Sequence, residues 1–300
     1  MWFVLALAYA LAAALHRWIA KPVTQSLNPT TISWVMPLAG LPITLIIAGV
    51  GLTTGMLGGQ RLGFLQLPSS FWLPMGLMIL VIWPVQYYCL YQTLKHRQLS
   101  WIFPMDGLVP AVGGMLAWLV FGEIISALSL GSVAVIIGGV VLLNVKPAAK
   151  HSVASTDKHP ATWYLPVIQA FCAAIAAVFT KMAVTSSGLP TFLIVGALGG
   201  IIGQWLLTTL IVRPDDYRQI WVNRRRLALS GTVDGLRGAL GVMALALGPV
   251  AQVTATFRVS LVFGVIVGVV LEREKLSARQ LLASFIIFTG VTLLYATKLR

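Results

Sequence analysis

An ionisable side chain in the middle of an apolar run costs several kcal/mol unless it is paired or wet, so each one needs a reason. Asp234 and Arg237 stand three residues apart inside one such run, on a single helical face. They can neutralise each other, or they can line a polar cavity in which Asp234 carries a proton. Arg258 falls about 13 Å into another run at about 1.5 Å per residue, and Asp106 enters its own run about 10 Å from the other end. That pair reads either as a buried lock or as a site in which Arg258 grips a carboxylate or phosphate and Asp106 releases it. A guanidinium suits the second task, because its planar fork makes two parallel hydrogen bonds to such a group. His16 and Arg17 close the first apolar run, where Arg17 can equally snorkel to the interface. Lys181, near the end of a later run, reads as a snorkelling anchor.

Tyr87 and Tyr91 are four apart and share a helical face, so they can line a cavity and stack on an organic molecule. Trp101 belongs to the same aromatic cluster, and Gln252 offers an amide at a mid-run position. Glu123 and Glu274 sit at corners just before a new run, where a carboxylate favours a helix N-terminus, so both read as caps. Enzyme chemistry has little to stand on. There is no HExxH, no Walker motif, and the four histidines, His16, His96, His151 and His159, make no site by spacing. The reading is of a protein that is not an enzyme and needs no metal or cofactor.

The elements that must hold these residues are membrane helices. Hydrophobic residues make up 58% of the 300 and charged ones 10%, far from the soluble balance. Ten apolar spans of about 20 residues fit, near 2–22, 31–50, 71–94, 99–121, 127–145, 162–184, 190–212, 227–247, 249–271 and 277–296. The fold class is therefore an all-α membrane protein rather than a barrel. The first 18 residues mimic a signal peptide but lack a basic segment ahead of the apolar run, so they read as a retained first helix. The Gly-rich stretch 51–70 reads as a loop that partly re-enters the membrane. Cys89 and Cys172 lie inside apolar runs and read as small buried hydrophobes.

The chain also repeats itself. Residues 99–145 lie on 250–296 at a gapless offset of 151, which sets Gly113 on Gly264, Glu123 on Glu274, and Gly139-Val140 on Gly290-Val291. The halves are 1–145 and 162–300, and 146–161 is the polar linker, broken by Pro147 and Pro160. Five spans per half force the second half upside down relative to the first, giving two inverted five-helix repeats around a central cavity. Net charge is +13, but the basic residues sit in short loops, which is an orientation signal and not a nucleic-acid stripe. Fourteen Lys and Arg fall on one set of loops and three on the other, which puts both chain ends outside.

The corners Gly122-Glu123 and Glu274, the G-V-x-L-L endings at 139–143 and 290–294, and Leu247-Gly248-Pro249 resemble the drug/metabolite transporter superfamily, in its ten-helix EamA-like branch. The likeness covers nearly the whole chain. It implies two inverted five-helix halves, transport of small metabolites, and both ends in the cytoplasm, opposite to the charge bias. It also implies a cavity-facing place for His16 and Arg17. Some members resemble Y-P-I-A-R-G and L-R-E-S/T-S, with an arginine in each half. Here the first reads Phe103-Pro104-Met105-Asp106-Gly107-Leu108 and the second Phe257-Arg258-Val259-Ser260. One arginine remains of two, and the repeat offset sets Gly107 on Arg258 as well.

The residues together point to a secondary transporter in a bacterial inner membrane, exporting or exchanging a small anionic or zwitterionic metabolite such as an amino acid or organic acid by alternating access. Protons are the candidate coupling ion, and the bilayer is its other partner. A flippase of a lipid or lipid-linked sugar in the same fold is the alternative, and an intramembrane lipid-modifying enzyme stands behind it.

Overall fold

Apolar chain in the absence of water must satisfy its own backbone groups, and a helix does so within one segment. The computed structural model describes residues 1–54, 67–96, 108–123, 126–144, 164–211, 217–272 and 278–296, and among these every regular element is helical. Asp106, Trp101, Glu274, the linker 146–161 and residues 55–66 of the Gly-rich loop lie outside the described residues.

The helices are α1 Trp2–Ser26, α2 Pro29–Thr54, α3 Ser69–Leu77, a π-helical turn Met78–Ile82, α4 Trp83–His96, α5 Leu108–Phe121, α6 Ala127–Asn144, α7 Leu165–Ser187, α8 Leu189–Ile211, α9 Tyr217–Val222, α10 Arg224–Leu247, α11 Val250–Phe257, α12 Val259–Glu272 and α13 Ala278–Ala296. Among the described residues six stretches are long and apolar enough to cross a membrane: Trp2–Ala20, Pro29–Thr53, Ser69–Thr93, Leu165–Ser187, Leu189–Leu207 and Val250–Val267. Shorter apolar helices occupy Leu108–Phe121, Ala127–Leu142 and Leu281–Leu293. Outward-facing Phe285 and Phe288 on α13 are 71% and 58% exposed, which suits a surface wetted by lipid rather than water.

Two features of the chain shape the spans. Span three carries the π turn, which adds a residue to one helical turn and so re-aims the side chains that follow it. Span nine is broken after Phe257. Thr254 and Thr256 turn their hydroxyls onto the carbonyls of Val250 and Gln252, a back-bonding that bends helices. The Arg258 N–H then folds back to Ala255 O in a tighter turn before α12 begins.

Helix packing follows small residues, because lipid supplies no hydrophobic drive between helices and close backbone contact must replace it. α10 lies against α1 and α2. At Gly40 a Cβ would stand 2.3 Å from the Gly231 carbonyl oxygen, and at Gly235 one would stand 2.6 Å from the Gly40 oxygen, so the α2–α10 crossing needs glycine on both helices. α6 and α13 pack reciprocally. A Cβ on Gly139 would meet Ile287 Cγ1 at 2.7 Å, and a Cβ on Gly290 would meet Ile136 Cγ1 at 2.7 Å. Both pairs are related by the offset of 151 seen in the sequence, so residue i touches the repeat mate of j, and j touches the repeat mate of i.

Candidate functional site

α10 builds one wall of a cavity of about 150 Å³ whose lining includes Asp234, Arg237, Pro37, Trp83, Tyr87 and Phe192. Helical spacing puts Ser230, Asp234, Arg237 and Gly241 on a single face of α10. α1 brings two residues to that face, Tyr9 and His16, which are two turns apart. Trp83 and Tyr87 follow the π turn in span three.

Arg237 donates to Asp234 Oδ1 twice, from Nε at 2.8 Å and from Nη2 at 2.5 Å, and its Nη1 donates to the Tyr9 hydroxyl at 3.0 Å. The guanidinium also lies 5.5 Å from the centroid of the Tyr9 ring. That ring stacks on Phe257 at 3.7 Å, and Gly241 makes room for it, since a Cβ there would meet Tyr9 Cδ2 at 2.9 Å. His16 Nε2 stands 3.7 Å from the same Asp234 Oδ1, and its Nδ1 faces the Ser230 carbonyl at 3.2 Å and the Ser230 hydroxyl at 3.3 Å. Asp234 and His16 side chains are 9% and 11% exposed and Arg237 20%, so the cluster is largely out of water. One carboxylate oxygen thus holds two cationic or potentially cationic groups, and an aromatic ring braces the guanidinium.

Of the sequence candidates, His16, Asp234, Arg237 and Tyr87 come together. Tyr91 stacks behind Tyr87, with ring centroids 6.0 Å apart, and turns its hydroxyl to Met36 Sδ in a separate apolar cluster. Gln252 spends its amide on Ser129 Oγ at 3.1 Å, tying α11 to α6. Arg258 caps the break in span nine, where its Nε reaches back to Thr254 O at 3.4 Å, and it is not part of the cavity lining. Arg17 is half-buried next to His16 and is likewise absent from the lining. Tyr9 was missed, although its i, i+7 spacing to His16 marks the same face of α1.

Lys181 is not a snorkelling anchor. It forms an ion pair with Glu123 and donates to Gly248 O at 2.8 Å, while Glu123 Oε2 accepts the Val250 N–H at 3.0 Å. Glu123 therefore caps a helix, but the helix is α11 and not the α6 that follows it. Gly122, with φ of +65°, makes the left-handed turn that aims Glu123 there. Among the described residues no cluster of three His, Cys, Asp or Glu could hold a metal ion.

Residues 162–296 match the EamA-like transporter family. The match covers less than half of the chain, and it says what this segment is similar to. One protein of known crystal structure superposes with a TM-score of 0.74 at 14% identity, over 98% of this chain and 98% of that one. At that identity the likeness speaks to fold alone. No curated protein sequence matches the chain.

Proposed function

We propose that the protein is a secondary carrier in a bacterial inner membrane that moves a small metabolite bearing a carboxylate, such as an amino acid or organic acid, by alternating access. The observation that carries this reading is the Asp234–Arg237 pair at an aromatic-walled cavity among apolar helices. The pair is complementary to a zwitterion or a carboxylate: Arg237 can turn its fork from Asp234 to the ligand, and Asp234 can receive an ammonium. Trp83, Tyr87 and Phe192 offer faces for an organic side chain. A space of about 150 Å³ holds about five waters at about 30 Å³ each, so a compact headgroup fits as the helices stand and a bulkier body needs them to part.

The reciprocal Gly139–Ile287 and Gly290–Ile136 contacts support two halves related by a two-fold axis, because an isologous contact pairs each patch with its own mate. On this reading ten spans form two inverted repeats, 1–145 and 162–300, joined by 146–161. Arg237, rather than Arg258, grips the anionic end, since it is Arg237 that faces the cavity. A flippase reading has one observation in its favour, an apolar crevice of about 530 Å³ between α5, α6 and α11, with Met115 and Trp118 at its walls.

A thermal-shift screen of purified protein separates these. Ligand that binds only the native state raises apparent stability as RT ln(1 + [L]/Kd), about 2.7 kcal/mol at a hundredfold excess over Kd. Amino acids or organic acids are expected to stabilise the protein, and their methyl esters to do so much less. Stabilisation by lipid-linked sugars alone would select the flippase.

A further inference from the structure

His16 lies between Ser230 on one side of its ring and Asp234 on the other. Its Nδ1 faces the Ser230 carbonyl, which only accepts, at 3.2 Å and the Ser230 hydroxyl at 3.3 Å, and the tautomer with the hydrogen on Nδ1 is the one that donates to the carbonyl. Its Nε2 then points a lone pair at Asp234 Oδ1, 3.7 Å away. Lone pair facing carboxylate is a place for one more proton. While Arg237 sits on Asp234 that proton is not needed, because the guanidinium already balances the carboxylate.

The balance changes when a ligand enters. A carboxylate that takes Arg237 for itself leaves Asp234 without its cation inside the membrane, where an uncompensated charge is expensive. Either the ligand brings its own ammonium to Asp234, or a proton must come. We propose that His16 is the site of a coupling proton, taken up from water onto Nε2 when a carboxylate ligand draws Arg237 off Asp234 and given back when Arg237 returns. The inference rests on the proposed carrier function for what loads the site. The balance closes: one anion and one proton are bound together, and the cluster keeps its net charge. By linkage the proton and the ligand each favour the other's binding to the same degree.

The ring, and not the carboxylate, takes the proton, because an imidazole ordinarily holds one up to about pH 6.5 and an Asp carboxyl only to about 3.9. Groups facing His16 from the packed elements support this assignment. α10 supplies Asp234 and Arg237, and α4 supplies Tyr87 and Tyr91 behind them. Arg17 is the charged neighbour on α1 itself. Asp234 is the single anion of this set, so its pairing with Arg237 decides the charge that His16 meets.

Loss of the guanidinium can be imitated without any ligand. Protein carrying ring-¹⁵N histidine would be compared at one pH, with the His16 signals assigned by their loss in His16→Gln. The ratio of imidazolium to imidazole is expected to rise by about tenfold or more in Arg237→Gln, and to fall back to the wild-type value or lower when Asp234→Asn is added. Asp234→Asn alone is expected to lower the ratio by about tenfold, a change set by one unit charge at a few ångströms in a partly buried site. An unchanged ratio in Asp234→Asn or in folded Arg237→Gln overturns the proposal, as does a ring that stays neutral in Arg237→Gln. No substrate is used, so a failure here is distinct from a failure of the ligand screen.

Discussion

Arg237→Ala is expected to abolish transport and to destabilise the protein by about 3–5 kcal/mol. The cost arises because removing one partner of a buried pair leaves the other as an uncompensated charge. Asp234 has a side chain 9% exposed and would be left facing His16, at 3.7 Å. The Tyr9 hydroxyl would lose its donor as well. Arg237→Lys keeps the charge but cannot reach Asp234 Oδ1 and the Tyr9 hydroxyl together with a planar fork, so ligand binding is expected to weaken about tenfold or more. The double change Asp234→Asn with Arg237→Gln removes both charges and should recover most of the lost stability. It should not recover transport. Apparent melting temperature in detergent and uptake into proteoliposomes check the two halves of this statement. If the double variant transports at close to the wild-type rate, the pair is a structural lock and the ligand must bind elsewhere.

Lys181→Met carries the second large effect. Lys181 and Glu123 are each 16% exposed, and the pair holds three elements together. Glu123 lies at the α5–α6 corner, Lys181 on α7, and their remaining bonds go to Gly248 O and Val250 N at the α10–α11 corner. Deleting the ammonium leaves the carboxylate with one backbone donor, at a cost on the order of 3 kcal/mol. Glu123→Gln should cost less, since the amide oxygen can still accept the Val250 N–H. Combining the two restores a neutral contact and should regain most of the loss in a thermal-denaturation series. If Lys181→Met melts at the wild-type temperature, the pair contributes nothing and the corner is held by packing alone.

Some of this was open to a reader of the sequence. Asp234 and Arg237 are local, three residues apart on a helix, so their partnership follows from helical spacing. The repeat was visible as an offset, and the offset reappears in space at Gly139 and Gly290. Position along a helix was legible too, but position says nothing about which way round the helix a side chain points. That is why Arg258 looked central: it is mid-span, yet it caps a helix break away from the cavity lining. Pairings across long separations leave no local mark. Lys181 meets Glu123 from 58 residues away, and His16 meets Ser230 from 214. The π turn at Met78–Ile82 has no distinctive residue in it, and it is the turn that precedes Trp83 and Tyr87 at the cavity wall. Tyr9 was the recoverable omission, because two turns separate it from His16.

The central claim is that a carboxylate-bearing metabolite crosses the membrane by alternating access through the Asp234–Arg237 cavity. Solute counterflow tests it most directly. Proteoliposomes loaded with an excess of the unlabelled carboxylate ligand from the thermal-shift screen are diluted into a trace of the labelled compound. The expected result is a transient rise of internal label above its equilibrium level, present in wild type and absent in the Asp234→Asn, Arg237→Gln double variant. Label that climbs only to equilibrium, no faster than in protein-free liposomes, would contradict the account.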